Sequence, residues 1–210
     1  AGIVNVTGFL GIKTLTTNVT GHFAFFAEQV MQHDYSAAIT FLIFTLLFLL
    51  GAFVSGFLSE MVYKINPDFS HIVPIGLEMF ILLFVGFLGK SASILTFEGK
   101  WVAFLLLFAM GIQNALVTKI SQSTVRTTHL TGLFTDLEIE LSQLFFYKKP
   151  DAKATLKTNI YLRISIITFF FLGCFLGGYI FQKIGLKTLF VAAIFLLIAL
   201  LYDYIRLKLY

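Results

Sequence analysis

Charge is scarce in this chain. Asp, Glu, Lys and Arg make up 12% of its 210 residues, about half the share that is usual in soluble domains, and 58% of the residues are hydrophobic. A composition this apolar excludes a soluble enzyme. The net charge of +4 comes without a basic stripe, so we expect no nucleic-acid partner and attribute the excess lysines to loops beside anionic lipid.

The residue types that carry chemistry are also few and scattered. Cys174 is the only cysteine and lies inside an apolar run, so the chain has no intrachain disulfide. The four histidines lack the spacing of metal ligands, and no nucleophile, base and orienting acid form a recognisable cluster. We therefore expect no enzyme activity, no metal and no other cofactor.

Long uncharged apolar runs are what the chain does contain. Three of them, of 18 to 25 residues, cover 35–59, 101–118 and 164–182. An α-helix needs about 20 apolar residues to cross the hydrocarbon core of a bilayer, so the sequence predicts an all-α membrane protein whose partner is lipid. The chain has no initiating Met, and residues 1–12 are too short to span. We expect it to begin partway through its first helix.

Three short sequence blocks occur twice, in the same order. Their offsets are 109, 111 and 122 residues, and a loop at 147–153 accounts for the increase. In the first pair, Gly-Ile-Val-Asn at 2–5 matches Gly-Ile-Gln-Asn at 111–114. In the second, Thr-Asn-Val-Thr-Gly at 17–21 matches Thr-His-Leu-Thr-Gly at 128–132. In the third, Gly-Ala-Phe-Val-Ser-Gly at 51–56 matches Gly-Cys-Phe-Leu-Gly-Gly at 173–178. The matching order predicts two structural repeats, residues 1–97 and 98–210.

Each predicted repeat contains a short helix after the Thr-x-x-Thr-Gly motif, near 21–33 and 132–146. We interpret these helices as broken or re-entrant, because they are too short and too charged to face lipid. Each half then has three spans and the halves are inverted; if the short helices cross, each half has four spans and the halves are parallel. The positive-inside rule favours the inverted arrangement. With three spans in each half, nine Lys and Arg residues lie on one side of the membrane and five on the other, whereas with four spans in each half the counts are eight and six. We predict six transmembrane helices in two inverted three-helix repeats.

The repeated motif also predicts a ligand site. Threonine at a helix start can cap backbone N–H groups, and the positive end of a half-helix attracts an anionic or carbonyl-bearing ligand. Two such ends near mid-membrane form the substrate site of many transporters. The alternative is that each Thr-Gly pair only caps its helix and each Asn only bonds to a neighbouring helix. The candidate substrate-binding residues are Asn5, Asn18, Thr20, Gly21, Gln113, Asn114, Thr128, His129, Thr131 and Gly132.

An isolated carboxylate stands out in the third apolar helix. Glu78 lies about 10 Å along that helix from His71, and intramembrane carboxylates are costly enough to indicate function, such as proton or cation coupling. We expect Arg163 to be its partner, and a purely structural ion pair is the alternative. Arg163 and Asp136 are the other coupling candidates. In contrast, two small-residue pairs, Gly51 with Ser55 and Gly173 with Gly177, predict close helix packing rather than ligand contact.

Several of these motifs resemble the YoaK-type family of bacterial membrane proteins. The resemblance rests on residues 18–21, 111–115 and 126–132 together with Asp136, and it extends over nearly the whole chain. Two positions depart from the family pattern: Asn5 stands where an aspartate is common, and His22 where an asparagine commonly follows Thr-Gly. The family is a domain of unknown function, so the resemblance implies a multi-pass protein of the bacterial inner membrane and implies no activity.

Two functions remain open at the level of sequence. The first is secondary transport or channel-like passage of a small-molecule solute, with a site between the two Thr-Gly half-helices and both chain termini in the cytoplasm. The second is a membrane module that transports nothing and instead binds a partner protein or senses a ligand. A second copy of the chain, forming a homodimer, is a further candidate partner.

Overall fold

The computed structural model describes residues 1–89, 97–120, 130–147 and 150–209, and the regular structure in these ranges is helical. Two 3-10 turns, Pro67–Phe69 and Gly185–Thr188, precede the last helix of each half. The helices are α1 Gly2–Ile12, α2 Val19–Met31, α3 Tyr35–Tyr63, α4 Ile72–Leu88, α5 Phe97–Ile120, α6 Leu130–Gln143, α7 Pro150–Ile184 and α8 Leu189–Leu209.

Four stretches of the described chain are long and apolar enough to cross a membrane: Tyr35–Tyr63, Pro67–Leu88, Gly99–Lys119 and Asp151–Arg206. The last stretch contains both α7 and α8, and α1 is a shorter apolar helix. Large apolar side chains on the outer faces of these helices are exposed, for example Phe53 and Phe175 at 65% and 70%. An apolar exterior of this kind suits lipid, so the predicted class of helical membrane protein is confirmed.

α2 and α6 have 13 and 14 residues, which makes each about 20 Å long. Each begins two residues before the start that the motif predicts. The cap of α2 is Asn18, whose Oδ1 accepts a hydrogen bond of 2.9 Å from the Gly21 N–H. The predicted threonine cap is therefore wrong for α2, because the asparagine carboxamide takes that role and Thr20 lies inside the first turn.

α5 is the centre of the apolar core. Its residues Leu106, Leu107, Met110 and Ile112 are fully buried among α1, α3, α4 and α8. α3 crosses α5 so closely that a β-carbon on Gly51 would collide with the Phe108 carbonyl. Side chains larger than hydrogen cannot fit where two helix backbones touch, and this confirms close packing at Gly51.

The α1–α7 crossing has the same design. A β-carbon on Gly2 would collide with the carbonyl of Phe170, and one on Gly111 would collide with that of Phe48 across the α3–α5 crossing. At Gly173 and Gly177, a β-carbon would meet the α1 backbone or the side chain of Val6. The predicted close packing is confirmed at Gly177, where a β-carbon would crowd Val6 and Ile3, whereas a β-carbon on Gly173 would meet α1 at ordinary van der Waals distance.

Contacts along each helix pair fix its direction. Phe44 meets Phe104 near one end of the α3–α5 pair, and Glu60 meets Lys119 near the other, so the two helices run the same way. α1 and α7 also run the same way, since Gly2 packs on Phe170 and Gly11 on Phe181. α4 and α8 run in opposite directions: His71 at the start of α4 bonds to Asp203 late in α8 at 2.7 Å, and Phe87 meets Phe190 at the other end.

Candidate functional site

A cavity of about 620 Å³ lies between the first turns of α2 and α6. Its walls come from α1, the segment before α2, and helices α2, α3, α6 and α7. Five residues predicted from the repeated motif line it: Asn5, Asn18, Thr20, Gly21 and Thr131. The two short helices therefore bring residues more than 100 positions apart in sequence to a single cavity.

Asn5 links the segment before α2 to the first turn of α1. Its Oδ1 accepts hydrogen bonds from the Thr17 backbone N–H at 3.3 Å and from the Thr17 hydroxyl at 2.9 Å. Thr17 is buried, and the next residue is the α2 cap, Asn18. The first Thr of the motif thus fixes where α2 begins, and Asn18 orients its first turn.

Two phenylalanines, Phe48 on α3 and Phe170 on α7, add aromatic rings to the cavity wall. Sequence reasoning missed both, although a signal was present: the 122-residue offset that relates 51–56 to 173–178 also relates Phe48 to Phe170. Their carbonyls are the groups on which Gly111 and Gly2 pack. The same residues thus serve the helix crossings and the cavity.

The described lining of the cavity contains no Asp, Glu, Lys, Arg or His. Its polarity comes from amide and hydroxyl groups and from the N-termini of α2 and α6, and its apolar part from Leu15, Val19, Leu130 and the two rings. Over the described residues, no group of three His, Cys, Asp or Glu could hold a metal ion.

The family model named Protein of unknown function (DUF1275) matches residues 1–202. The chain belongs to this family. The resemblance to YoaK-type proteins is thereby confirmed. No match was found among curated proteins or among solved structures.

His22 is one of the two departures from the pattern expected of DUF1275 proteins. It lies on the buried side of α2 and does not line the cavity. Its Nε2 is 3.0 Å from the Leu15 carbonyl, and its ring packs against Phe41 and Phe44 of α3. Burial lowers the pKa of His22 below its usual value, while the Leu15 carbonyl raises it by a smaller amount. His22 therefore anchors α2 to α3 as a neutral ring.

Other predicted site residues of this DUF1275 protein lie elsewhere. Gln113 borders a second cavity of about 390 Å³, together with Glu78 and the first residues of α1, and not the cavity between α2 and α6. Asn114 is half-buried on α5 and outside the lining of both cavities. Gly132 is exposed, with open space where a β-carbon would be. Thr128 and His129 fall outside the described residues.

The predicted pairing of Glu78 with Arg163 is wrong. The Arg163 guanidinium faces α6, where Nε and Nη2 bond to the Glu140 carboxylate at 2.8 and 3.1 Å and Nη1 bonds to Asp136 at 2.9 Å. A planar guanidinium fits a carboxylate with two parallel bonds, which explains the choice of Glu140. Glu78 is buried, and both of its oxygens lack a hydrogen-bond partner among the described residues.

Proposed function

We propose that this protein moves a small solute across the membrane, as a secondary transporter or a channel, through a site between the first turns of α2 and α6. The observation that carries the proposal is the cavity of about 620 Å³, which is lined by the motif residues Asn5, Asn18, Thr20 and Thr131. Half-helix ends that point at a shared binding site are the arrangement that many transporters use for substrate.

The proposed architecture is six spanning helices in two inverted repeats, residues 1–97 and 98–210. Helix direction supports it, because α4 and α8 occupy the same place in the two halves and run in opposite directions. Cross-pairing supports it too: α1 packs on α7 of the other half, and α3 packs on α5. A two-fold axis that exchanges the halves would convert one of these pairs into the other.

The same axis would pass through the cavity. It would exchange Gly2 on the Phe170 carbonyl with Gly111 on the Phe48 carbonyl, and Phe48 and Phe170 both line the cavity. Inverted repeats around a central site allow alternating access, since each half can open in turn. We further propose Glu78 as the coupling group, because a buried carboxylate without a hydrogen-bond partner among the described residues is costly to keep at membrane depth.

The proposed location is the inner membrane of a bacterium, with both termini cytoplasmic. The distribution of Lys and Arg supports it, since the three-plus-three arrangement gathers nine of them on one side and five on the other.

A thermal-shift screen followed by liposome uptake tests the proposal. The detergent-purified protein is screened against ions, amino acids, nucleobases, sugars, carboxylates and aromatic metabolites. A compound at 100 times its dissociation constant stabilises the folded state by about 2.7 kcal/mol. Compounds that stabilise are then offered to liposomes containing the protein, and we expect uptake above that of empty liposomes.

Matched variants place the effect in the cavity. Thr20→Val and Thr131→Val each remove one lining hydroxyl without changing side-chain shape, and we expect both to weaken binding. Thr135→Val, one turn further along α6 and outside the lining, is the control and should bind normally. If no compound stabilises the protein and none is taken up, transport is the wrong function, and a membrane module that binds a partner protein becomes the better hypothesis.

A further inference from the structure

The second cavity, of about 390 Å³, has a buried acid in its wall. Glu78 lines it from α4 and is 1% exposed, and neither carboxylate oxygen has a hydrogen-bond partner among the described residues. Gln113 lines the cavity from α5, and its Oε1 is also buried without such a partner. Buried polar groups are costly unless they are bonded, so these three oxygens require a donor that the described residues do not supply.

The chemistry of that donor follows from the acceptors. A carboxylate accepts hydrogen bonds and attracts positive charge, and a carboxamide oxygen also only accepts. A primary ammonium carries one positive charge and three N–H donors. It therefore matches the oxygens of Glu78 and Gln113 in both charge and number, and hydrogen bonds between charged groups are the strong ones.

The rest of the cavity wall is apolar and reaches the outer surface. Leu82 on α4 is fully buried, whereas Phe169 and Leu176 on α7 and Phe195 on α8 are exposed. In the described chain α7 packs on α1 and α8 packs on α4, and the cavity opens between these two pairs. An apolar body attached to the ammonium would cover this wall, whereas a bare metal ion would leave it uncovered.

The cavity lies beside the first turn of α1. Ile3 and Val4 contribute to its wall, and Ile3 lies against Gly173 of α7. Because α1 and α7 run the same way, any continuation of α1 ahead of its first turn would follow α7 towards Ser165, away from Leu176. The cavity is therefore a space between the faces of packed helices.

We propose that this second cavity binds a primary ammonium attached to an apolar body. The ammonium donates hydrogen bonds to Glu78 and Gln113, and the apolar body extends between α7 and α8 towards the lipid. The inference goes beyond the proposed function, because that function places its solute in the separate cavity between α2 and α6.

Three compounds with the same unbranched chain test the class of ligand. Hexylammonium, 1-hexanol and hexanoate have a positive, a neutral and a negative head. They are titrated calorimetrically into the protein in phosphatidylcholine nanodiscs, and empty nanodiscs correct for partition into lipid. We expect hexylammonium to bind at least about tenfold more tightly than hexanol, and hexanoate not to bind. Hexanol or hexanoate bound as tightly as hexylammonium would overturn the assignment.

Matched variants test the two acceptors. Glu78→Gln removes the charge and keeps the size of the side chain, so hexylammonium should bind at least about tenfold more weakly and hexanol as before. Gln113→Met removes the other acceptor and should weaken hexylammonium binding several-fold. Glu28→Gln is the control, because Glu28 is exposed on α2 outside the cavity. Unchanged affinity in both Glu78→Gln and Gln113→Met would show that the amine binds elsewhere.

The nanodisc lipid distinguishes two sources of the ammonium group, a free amine and an amino phospholipid. The head of phosphatidylcholine has no N–H donor, whereas phosphatidylethanolamine carries a primary ammonium. Equal hexylammonium affinity in nanodiscs of either lipid would assign the site to a free amine. Weaker affinity in phosphatidylethanolamine would show that the lipid head competes for it. Either result supports an ammonium site.

Thr131→Val separates this inference from the proposed function. Thr131 lines the cavity between α2 and α6 and not the second one, so hexylammonium should bind normally to this variant. If Thr131→Val abolishes the binding, the amine lies between α2 and α6 and the second site is wrong. If hexylammonium does not bind the unaltered protein, the inference fails, and uptake of a solute through the first cavity is unaffected by that failure.

Discussion

The two short helices are attached to their long neighbours by different chemistry. α2 packs on α3 through aromatic rings, and the centroids of Phe25 and Phe41 are 5.2 Å apart. α6 is held on α7 by charges, with Arg163 bonded to Asp136 and Glu140. The offsets of 111 and 122 residues relate Phe25 to Asp136 and Phe41 to Arg163, so the ring pair and the ion pair occupy corresponding positions.

Under the proposed repeat, the short helix touches the long one at the same place in both halves, and only the type of contact differs. The ionic attachment contains a well-buried member, since the Glu140 and Arg163 side chains are 11% and 15% exposed, and an open one, Asp136, at 52%. The Phe25–Phe41 pair that attaches α2 to α3 contains no charged side chain. We therefore expect the α6 attachment to depend on salt and the α2 attachment to be indifferent to it.

The largest expected effect comes from Arg163→Phe. It leaves Glu140 buried without its partner, and breaking a buried ion pair in this way costs about 3 kcal/mol. The measurement is the free energy of unfolding in mixed detergent micelles. The triple variant Asp136→Phe, Glu140→Gln, Arg163→Phe installs the residues that correspond in the first half, Phe25, Gln29 and Phe41. It should recover most of the loss; a triple variant as unstable as the single one would show that the two attachments are not interchangeable.

A smaller effect is expected at the aromatic attachment. Phe25→Ala removes one ring of the pair, and Phe25 is 44% exposed, so a loss of about 1 kcal/mol is expected. Unfolding measured at low and high NaCl should give the same loss. A loss that changes with salt would contradict the contrast with α6.

Asp136→Asn should have an effect smaller still, because an exposed ion pair contributes about 0.2–1 kcal/mol. The Glu140–Arg163 bonds remain in this variant and keep α6 in place. The destabilisation should shrink as NaCl rises, which distinguishes it from Phe25→Ala. An unfolding free energy lowered as much as by Arg163→Phe would mean that Asp136, rather than Glu140, holds the arginine.

The final prediction concerns pH and applies to the α2 side alone. Burial lowers the pKa of His22 in the folded state, so below the unfolded value of about 6.5 the unfolded chain binds more protons. The contribution of the neutral His22 ring to the free energy of unfolding is therefore fully present above that pH. It is lost as the pH falls towards the pKa of His22 in the folded state. His22→Leu copies the corresponding Leu133 of α6 and should reduce the acid sensitivity of thermal melting. Equal acid sensitivity in both proteins would exclude His22 as its source.

The sequence predicted the parts of the site that depend on chain periodicity and repetition. The helical membrane class follows from the apolar runs, and the repeated blocks contain Asn5, Asn18, Thr20 and Thr131, which the structure places around one cavity. The same offset also relates Phe48 to Phe170, but with 26 phenylalanines spread through the apolar helices, one further matching pair does not stand out.

What the sequence could not predict depends on helix rotation. Gln113 and Asn114 are neighbours, yet successive residues on a helix point about 100° apart, and only the packing of α5 decides which one reaches which cavity. The partner of Arg163 depends in the same way on the face that α7 turns towards α6. The cap of α2 was ambiguous for another reason: Thr17, Asn18 and Thr20 are all good caps, and the bond from Thr17 to Asn5 decides between them.

The glycine contacts at the helix crossings have a mechanical consequence. Where Gly51 lies on the Phe108 carbonyl and Gly2 on that of Phe170, backbone touches backbone and no long side chain interlocks the helices at that point. Such a contact can act as a pivot, because the two helices can change their crossing angle there without separating interlocked side chains. Each of these contacts joins a helix from residues 1–97 to a helix from residues 98–210. Phe48 and Phe170 lie beside the contacts and line the cavity. A change in the crossing angle at either contact would therefore shift Phe48 or Phe170 in the cavity wall.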